Sequence, residues 1–462
     1  MTPHRIPFVL ALALGALAAA PVQADQTPTP AQWRASQMQA VNKSEQIMRE
    51  ANQKKGLLAQ YEVMLGAATQ NNTDPAFRII FGQYLSWYQT YIGDYPDAED
   101  SFSVTESLQP GDHPLPLNDA GYQPRPALEA IPALAKDRQA VFFNEAHNLP
   151  LTRTLTVQLL VKLRQEGFTY FAAETLYHTD TALQTRGYPI GDSGFYTNEP
   201  ICAEMVRTAL KLGFKVVAYE SETDGPSDSR EKEQAEHLAE RVFKRDPKAR
   251  LVVDAGYAHI QETGIYLGGK SMAEYFTRFT GIDPLTVEQT MLTPHRNAAQ
   301  NHPYYTAVMQ ALHPAAPIVF VAADASVPGK AASGKAWTLR DGYDVSVLFP
   351  LVQMRRGRPT WLDLGGLRQP YFVSGDDSCK HDYPCLVEAR YAGEGSDAIP
   401  ADRMLFDPKP ALSPDRSDHV RPANGASSGE LYLRPGDYQL SMSDTDGHML
   451  SRRTITVTAA GP

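Results

Sequence analysis

Two short segments of the chain each place a histidine just beyond an apolar run. Asn-Glu-Ala-His ends at His147, and Ala-Gly-Tyr-Ala-His ends at His259. The apolar runs that precede them, residues 141–143 and 251–253, are typical of buried strands. Because open α/β folds bind ligands at the carboxyl ends of their strands, the two histidines are predicted to lie in one catalytic or ligand-binding cleft.

Carboxylates occupy similar positions in the sequence. Glu145 lies two residues before the first histidine, and Glu174 and Glu220 each follow an apolar run. Burying a carboxylate without a partner is costly, so Glu174 is expected to be paired or to face a cleft. Glu220 opens an acidic stretch that also fits a solvated loop. If extended geometry continues past the first strand, Glu145 and His147 point the same way, because side chains repeat with period two.

These side chains suit three kinds of chemistry. Imidazoles and carboxylates together can ligate a divalent metal such as Mn, Fe, Co or Zn, and the candidate ligands are Glu145, His147, Glu174 and His259. Without a metal, a histidine beside a carboxylate can activate water as a general base. An imidazole can also be the axial ligand of a haem, which makes His147 and His259 the candidate haem ligands.

Arg230 adds a positive charge near the predicted cleft. It begins the helical pattern 230–244, which follows a predicted strand end. One face of this helix carries polar residues at helical spacing, opposite an apolar stripe for packing: Arg230, Gln234, His237 and Arg241. Arg230 can hold a substrate anion or an oxyanion there, with an ordinary surface arginine as the equal alternative.

Strand-like and helical patterns alternate from about residue 131. Apolar runs at 140–143, 170–173, 215–219 and 250–254 are separated by helical patterns at 152–165, 199–212 and 230–244. Alternation at this spacing predicts an α/β fold, with a mostly parallel sheet flanked by helices. A further run at 317–322 is expected to extend the sheet. Residues 345–349 and 360–362 are expected to form a hairpin around Arg356-Gly357, with the nearby arginines 355, 356 and 358 solvated.

The flanking regions have a different character. Residues 30–70 and 76–91 carry helical periodicity, and residues 430–458 alternate as antiparallel strands do. The predicted organisation has five parts after the signal peptide: an accessory helical region at 25–107, a linker at 108–130, the α/β core with an extension at 131–390, a second linker at 391–429 and a small β region at 430–462.

The first 24 residues resemble a secretory signal peptide. A weakly basic start is followed by an apolar run at 8–20 and by the small-x-small cleavage site Val22-Gln23-Ala24. The mature protein is therefore expected in the bacterial periplasm or outside the cell. In an oxidising compartment Cys379 and Cys385 are expected to form a disulfide, and Cys202, in a helical pattern, is expected to be a buried apolar residue.

Charge and motifs narrow the function classes. The net charge of −10 is spread along the chain, which argues against nucleic acid as a partner because such binding needs a basic face. No stretch beyond the signal peptide is long enough to span a membrane. The segment 191–194, Gly-Asp-Ser-Gly, resembles the nucleophile segment of trypsin-like proteases, but that all-β fold does not match the α/β alternation. The expected partner is a small-molecule or peptide substrate, with glycan or protein binding open for the C-terminal β region.

The order of the motifs resembles the erythromycin-esterase/ChaN-like superfamily, which includes the TraB/TIKI-type proteins. The matching segments are Asn-Glu-Ala-His at 144–147, Ala-Glu-Thr at 173–175, Arg-Glu-Lys-Glu-Gln-Ala at 230–235 and Ala-Gly-Tyr-Ala-His at 255–259. The resemblance covers roughly residues 135–295, and each motif alone is weak. One departure is Asn144, which stands where the family usually has glycine and is expected to alter the turn and crowd the site.

This resemblance implies a cleft built around Glu145, His147, Glu174 and His259, with Arg230 nearby. Some members are hydrolases of esters or, with a metal, of peptides, and ChaN is similar to a haem- or iron-binding protein. The leading hypothesis is therefore a secreted or periplasmic hydrolase of ester or amide bonds, with or without metal assistance. The alternatives are a haem- or iron-binding protein and a non-catalytic interaction protein.

Overall fold

The computed structural model describes residues 29–70, 74–223, 225–323, 331–407 and 428–459. The predicted signal peptide lies outside these residues. Contacts divide the chain into two compact units. The first, called the α/β unit, comprises mainly residues 104–352, and the second joins the N-terminal helices to residues 353–462.

Helices open the described chain, as the sequence predicts. They are α1 (Pro30–Asn52), α2 (Leu57–Gln70), α3 (Pro75–Tyr91) and α4 (Tyr95–Ser101). Thr29 caps α1 in a capping box with Gln32, and Asp74 caps α3 ahead of a proline. The single helix expected over residues 30–70 is divided at Gly56, whose φ of 91° is incompatible with a continuing right-handed helix.

The α/β unit alternates strands and helices along the chain. Its elements are β1 (Tyr122–Pro126), α5 (Ala127–Ala135), β2 (Ala140–Glu145), α6 (Leu151–Gln165), β3 (Tyr170–Ala173), α7 (Leu183–Arg186), α8 (Pro200–Lys211), β4 (Lys215–Ala218), α9 (Asp228–Leu238), β5 (Leu251–Gly256), α10 (Met272–Thr280), β6 (Leu285–Glu288), α11 (Pro303–Leu312), β7 (Ile318–Ala323), β8 (Ala331–Ala336) and β9 (Val345–Ser346).

A six-stranded parallel sheet forms the core of this unit, in the order β4-β3-β5-β2-β6-β9. The predicted fold class is thereby confirmed. Every residue of β2 and β5 is buried, which is why these strands read as continuous apolar runs rather than alternating ones. Because β5 lies between β3 and β2, the carboxyl ends of these three strands are neighbours, and the residues that follow them meet at one edge.

Two expectations about the rest of this region are wrong. The run at 317–322 does not extend the parallel sheet, because β7 pairs antiparallel with β1 and β8 in a separate three-stranded sheet. Its partner β1 lies within the segment expected to be a linker. The expected hairpin is also different: β9 joins the parallel sheet beside β6, and β10 (Met354–Arg355) pairs with β11 (Arg358–Pro359).

The turn of that short hairpin lies where the sequence placed it. Arg356 and Gly357 have φ of 47° and 75°, the left-handed pair that a two-residue hairpin requires. Pro359 has no amide hydrogen to continue the ladder, and residues Thr360–Asp363 form a 3-10 helix instead of a strand.

The second unit completes its fold with antiparallel strands. Its remaining elements are β12 (Gln369–Ser374), α12 (Gly375–Cys379), β13 (Cys385–Tyr391), β14 (Asp402–Phe406), β15 (Ser428–Leu433), β16 (Gly436–Ser443) and β17 (Met449–Val457). They form a four-stranded sheet, β14-β13-β16-β17, and the pair β12-β15. The small C-terminal antiparallel region is thereby confirmed, and strand β14 lies within the stretch 391–429 expected to be a linker.

The cysteines behave as the sequence predicts. Cys379 and Cys385 form a disulfide between the end of α12 and the start of β13, and Cys202 is buried in α8, outside that disulfide. Within the described ranges, no helix combines the length and the apolar character needed to cross a bilayer.

Candidate active site

Glu174 lies at the centre of a buried charged cluster at the carboxyl edge of the parallel sheet. Its Oε1 accepts a hydrogen bond from Arg230 Nη2 at 2.9 Å, and its Oε2 accepts one from the Gly256 amide at 2.6 Å. The Nε2 atoms of His259 and His147 lie 3.5 and 3.9 Å from its oxygens. Burial raises the pKa of Glu174, but its cationic neighbours and the amide outweigh burial and bring the pKa to about 2. Glu174 is therefore paired, as expected, and is an anion at neutral pH.

His259 is oriented by a second buried carboxylate. Its Nδ1 lies 2.7 Å from Glu231 Oε2, which also accepts a hydrogen bond from the Met272 amide at 2.9 Å. Its Nε2 lies 3.3 Å from Arg230 Nη1, a donor, so the neutral imidazole carries its hydrogen on Nδ1. Burial lowers the pKa of His259, but the charges of Glu231 and Glu174 outweigh burial and raise it. His259 therefore accepts a proton readily at Nε2.

Arg230 connects the cluster to the end of β4. Helix α9 begins after Ser227, whose side chain accepts a hydrogen bond from the Arg230 amide. The Arg230 guanidinium donates to Glu220 from Nε at 3.1 Å and from Nη2 at 2.7 Å, and Gln234 Nε2 donates to the same carboxylate at 2.9 Å. Burial and the charge of Glu174 raise the pKa of Glu220. Glu220 thus belongs to the buried network rather than to a solvated loop.

The predicted polar face of residues 230–244, which covers most of α9 and the helical segment Ala239–Phe243 after it, packs as a unit against this region. His237 Nδ1 lies 3.0 Å from the Tyr219 carbonyl, and Arg241 Nη1 donates to the Ala218 carbonyl at 2.6 Å. With Arg230 and Gln234, every member of that face contacts residues at or just beyond the end of β4. The helical periodicity therefore identified which residues share this face. It could not show whether the face is packed or exposed to solvent.

His147 differs from the other ionisable groups of the cluster. It is 2% exposed, and neither Nδ1 nor Nε2 has a hydrogen-bond partner among the described residues. Its ring stacks on Tyr257 at 5.1 Å and meets the edge of Tyr196 at 4.0 Å. Burial lowers the pKa of His147 to about 4, against the opposing charges of Glu145 and Glu174. His147 is therefore a neutral imidazole with a free lone pair at neutral pH.

Glu145 occupies a separate ion pair beside the histidine. Arg153, in the first turn of α6, binds its carboxylate through Nε and through Nη2, the latter at 2.8 Å, and Nη2 also donates to the His147 carbonyl at 3.3 Å. Burial and the charge of Glu145 raise the pKa of Asp254 well above its usual range, and Thr156 Oγ1 donates to Asp254 at 3.1 Å. Glu145 thus holds Arg153 and shares its surroundings with a second buried carboxyl group, Asp254.

The backbone beyond β5 sets the position of His147. A Cβ on Gly256 would lie 2.0 Å from His147 Nε2, so only glycine allows the imidazole to approach this strand end. Tyr257 follows with φ of 46°, a left-handed conformation that is strained for a bulky residue. Its carbonyl accepts a hydrogen bond from Asn144 Nδ2 at 2.9 Å, which ties the turn to β2.

The expected crowding by Asn144 is not observed. Its side-chain oxygen accepts a hydrogen bond from the Gln289 amide at 2.6 Å, and its own carbonyl accepts one from Gln289 Nε2 at 2.8 Å. These contacts direct the side chain toward the end of β6 and away from Glu174. The asparagine at this position braces the strand ends instead of obstructing the cluster.

The structure brings four of the predicted site residues together, since His147, Arg230 and His259 all lie around Glu174. It does not bring Glu145 into that contact, and Glu145 and His147 make different contacts because β2 ends at residue 145. Three further ionisable residues were not identified from the sequence: Arg153, Glu231 and Asp254. The signals were present but weak, because Glu231 adjoins Arg230 in the quoted motif and Asp254 ends the predicted run 250–254.

The donor set does not fit a divalent metal. The Arg230 guanidinium lies between Glu174 and His259, where a shared cation would have to bind, and Glu145 is engaged by Arg153. Among the residues that the structure describes, one group brings three ligand atoms close enough to share an ion. It lies elsewhere, in the turn between β16 and β17, and consists of Asp444, Asp446 and His448.

The two histidines do not fit a haem either. An axial ligand must present a ring nitrogen to a large planar macrocycle. His147 Nε2 instead faces the Gly256 backbone, between the rings of Tyr196 and Tyr257. Both nitrogens of His259 already have polar neighbours.

Comparisons with known proteins give distant similarities. No family model and no curated protein matches the chain. Among solved structures it is similar to the type III effector HopBA1, at 14% identity over 40% of this chain and 96% of that chain, with a TM-score of 0.28. It is also similar to RRSP, a MARTX toxin effector domain from Vibrio vulnificus, at 14% identity over 57% of this chain and 66% of that one, with a TM-score of 0.27.

A third similarity is to the C-terminal region of Pasteurella multocida toxin, whose description reports a thiol-protease-like catalytic triad. The identity is 11%, over 70% of this chain and 48% of that one, and the TM-score is 0.26. The chain therefore spans about half the length of that structure. Similarities at these TM-scores do not bear on the chemistry of the site.

Proposed function

We propose that the α/β unit is a hydrolase of ester or amide bonds in which His147 is the general base and no metal is needed. The observation that carries this proposal is the free imidazole of His147. Each of the other charged groups described around it has a hydrogen-bonded partner, whereas both His147 nitrogens have none among the described residues. A buried polar group without a partner costs about 1–3 kcal/mol, so its retention calls for a functional reason.

In the proposed reaction, the residues of the cluster act one after another. Neutral His147 takes a proton from water as the water oxygen attacks the substrate carbonyl carbon. The Arg230 guanidinium stabilises the negative charge that develops on the carbonyl oxygen. His259, protonated at Nε2, gives a proton to the leaving alcohol or amine as the carbonyl–heteroatom bond breaks. Anionic Glu174 stabilises both imidazolium forms from 3.5 and 3.9 Å.

Access to the base requires movement. His147 is 2% exposed and is enclosed by Tyr196 and Tyr257. A substrate therefore reaches it only when one of these aromatic side chains moves. The backbones of both residues are held in place: Asn144 Nδ2 donates to the Tyr257 carbonyl at 2.9 Å, and the Tyr196 amide donates to Thr175 Oγ1 at 2.7 Å.

Membership in the erythromycin-esterase/ChaN-like superfamily is part of this proposal. The order of the four motifs supports it, and so does the convergence of His147, Glu174, Arg230 and His259 on one strand edge. A secreted or periplasmic location is likewise proposed, on the signal-like N-terminus and on the disulfide. The haem- and iron-binding alternative is not favoured by any contact described above, and a non-catalytic role is an outcome of the following test.

The test measures hydrolysis of p-nitrophenyl acetate, p-nitrophenyl butyrate and a peptide p-nitroanilide by the wild type and by His147→Ala. Loss of a general base is expected to lower kcat by roughly 10²–10⁴-fold. The matched control is His178→Ala, whose side chain is 52% exposed and should leave kcat unchanged. Addition of EDTA is expected to have no effect.

Each other result has a definite meaning. Equal turnover by the wild type and His147→Ala would remove His147 from the mechanism. Loss of turnover with EDTA, restored by a divalent metal, would overturn the metal-free proposal. No turnover of any substrate by the folded wild type would support the non-catalytic alternative.

A further inference from the structure

The loop between β5 and α10 contains a tight turn beside the cluster. Tyr266 and Gly269 exchange backbone hydrogen bonds of 3.0 and 2.9 Å, and the two residues between them, Leu267 and Gly268, have φ of 50° and 85°. A pair of left-handed residues forms a type I′ turn, in which asparagine and glycine are favoured. Leucine in the first position is strained, so this turn is maintained by its surroundings.

The base of the turn is anchored to the start of α9. The Lys270 amide donates to Asp228 Oδ1 at 2.9 Å, and the Tyr275 hydroxyl donates to the same oxygen at 2.8 Å. A Cβ on Gly269 would lie 1.8 Å from that oxygen, so only glycine fits here. These contacts fix the turn on the same helix that carries Arg230 and Glu231.

The anchored turn directs Tyr266 toward the cluster. The Tyr266 ring meets the His259 ring edge-on, with 5.2 Å between their centres. Its hydroxyl is buried and has no hydrogen-bond partner among the described residues. Burial, with the charges of Glu231 and Glu174, raises the pKa of the hydroxyl well above its usual value. The group is therefore a hydrogen-bond donor that lacks an acceptor.

We infer that Tyr266 is a further catalytic residue, whose hydroxyl donates a hydrogen bond to the carbonyl oxygen of the substrate. The inference rests on the hydrolase proposed above. Arg230 already divides its donors between Glu174 and Glu220, so a second donor is needed where negative charge develops. A neutral hydroxyl beside His259 supplies that donor, and it favours a substrate that presents an oxygen acceptor to this edge of the cluster.

Tyr266→Phe tests this inference, because the phenyl ring keeps the contact with His259 and only the donor is lost. The expected result with p-nitrophenyl butyrate is a fall of about 10²-fold in kcat, with KM changed by less than about threefold. The matched control is Tyr170→Phe, at the amino end of β3, whose hydroxyl accepts a hydrogen bond from Lys215 Nζ at 3.0 Å. That variant is expected to keep the wild-type kcat.

The outcomes separate this inference from the function on which it rests. If the wild type is active and His147→Ala is not, an unchanged kcat in Tyr266→Phe overturns the role of Tyr266 alone. A rise in KM without a fall in kcat also overturns it, because the hydroxyl would then bind the ground state and the transition state equally. Equal turnover by the wild type and His147→Ala, or no turnover by the wild type, overturns the proposed function and this inference together.

Discussion

Each compact unit buries an arginine–carboxylate network, and in the second unit the carboxylate of that network is saturated. Both carboxylate oxygens of Asp402, on β14, accept a hydrogen bond from Arg358 Nη2, at 2.7 and 2.9 Å. The Arg403 and Tyr432 amides donate to the same carboxylate at 2.8 and 2.7 Å. This carboxylate therefore connects β11, β14 and β15 and has no lone pair free for chemistry.

The network of the α/β unit contains titratable rings instead. The Glu174 carboxylate accepts hydrogen bonds from one arginine and one backbone amide. Its other neighbours are the imidazoles of His147 and His259. One imidazole is raised in pKa and the other is lowered. Buried charge alone is thus no evidence of a site. The distinguishing features are paired imidazoles of opposite pKa shift and a ring whose nitrogens lack partners.

The largest effect on stability is expected from removing the saturated carboxylate of Asp402. Asp402→Ala leaves Arg358 buried without its counter-ion, which typically costs about 3–5 kcal/mol. The free energy of unfolding of the second unit, from urea denaturation, is the measurement, and ester turnover by the folded protein should persist. Asp437→Ala, which removes an exposed carboxylate, is the control. A loss of less than about 1 kcal/mol in Asp402→Ala would contradict the structural role.

Acid is expected to act on the α/β unit through His147. Its pKa is about 4 in the folded protein, below the unfolded value of 6.5, so between these values only the unfolded chain takes up the proton. The contribution of His147 to the free energy of unfolding is therefore constant well above pH 6.5 and falls by about 3 kcal/mol as the pH drops to 4. His147→Ala should flatten this slope in pH-dependent denaturation, and His178→Ala should not. Burial also lowers the pKa of His295 to about 4, so part of the dependence of stability on pH remains in every variant.

A smaller loss of stability is expected from Gly256→Ala. The added methyl would overlap His147 Nε2, and overpacking of this kind costs about 1–3 kcal/mol. Because the displaced imidazole is the proposed base, kcat should fall as well. Gly66→Ala in α2, where a Cβ meets no atom within 4 Å, is the matched control and should be neutral or stabilising. Wild-type kcat in Gly256→Ala would show that the position of His147 is not critical.

The smallest effect is expected on the outer face of α9. Lys232 and Glu236 form an exposed ion pair on the same helix as the buried Arg230 and Glu231. Lys232→Ala should change the free energy of unfolding by about 0.3–0.5 kcal/mol and leave kcat unchanged. A comparison with Glu231→Gln in thermal denaturation and ester turnover would separate the two faces. If both variants changed stability and ester turnover equally, the buried face of this helix would be no more important to function than the exposed face.

Much of the α/β architecture could be predicted because its strands are buried on both faces. The expected runs at 140–143, 170–173, 215–219 and 250–254 match β2 to β5 closely. Strand β1 was missed because its sequence, Tyr-Gln-Pro-Arg-Pro, has turn-like composition and pairs only through β7. Arg358 was expected to be solvated, but it is 4% exposed. Its burial depends on Asp402, more than forty positions away in sequence.

The candidate site was predicted in part for the same reason. Residues that follow buried parallel strands must meet at one edge, and this rule places His147, Glu174 and His259 there. The rule says nothing about helices, so Arg153 and Glu231 were missed. A charged residue in the first turn of a helix has the same local pattern whether it faces solvent or a buried carboxylate.

The sequence by itself determined which segments form strands and helices, and which residue types follow the strand ends, because these properties depend on local periodicity and composition. Tertiary structure decided the order of the strands. Placing β5 between β3 and β2 brought His259 against Glu174 and Gly256 against His147. It also gave the two histidines opposite pKa shifts, since such shifts depend on burial and on charges contributed by distant segments.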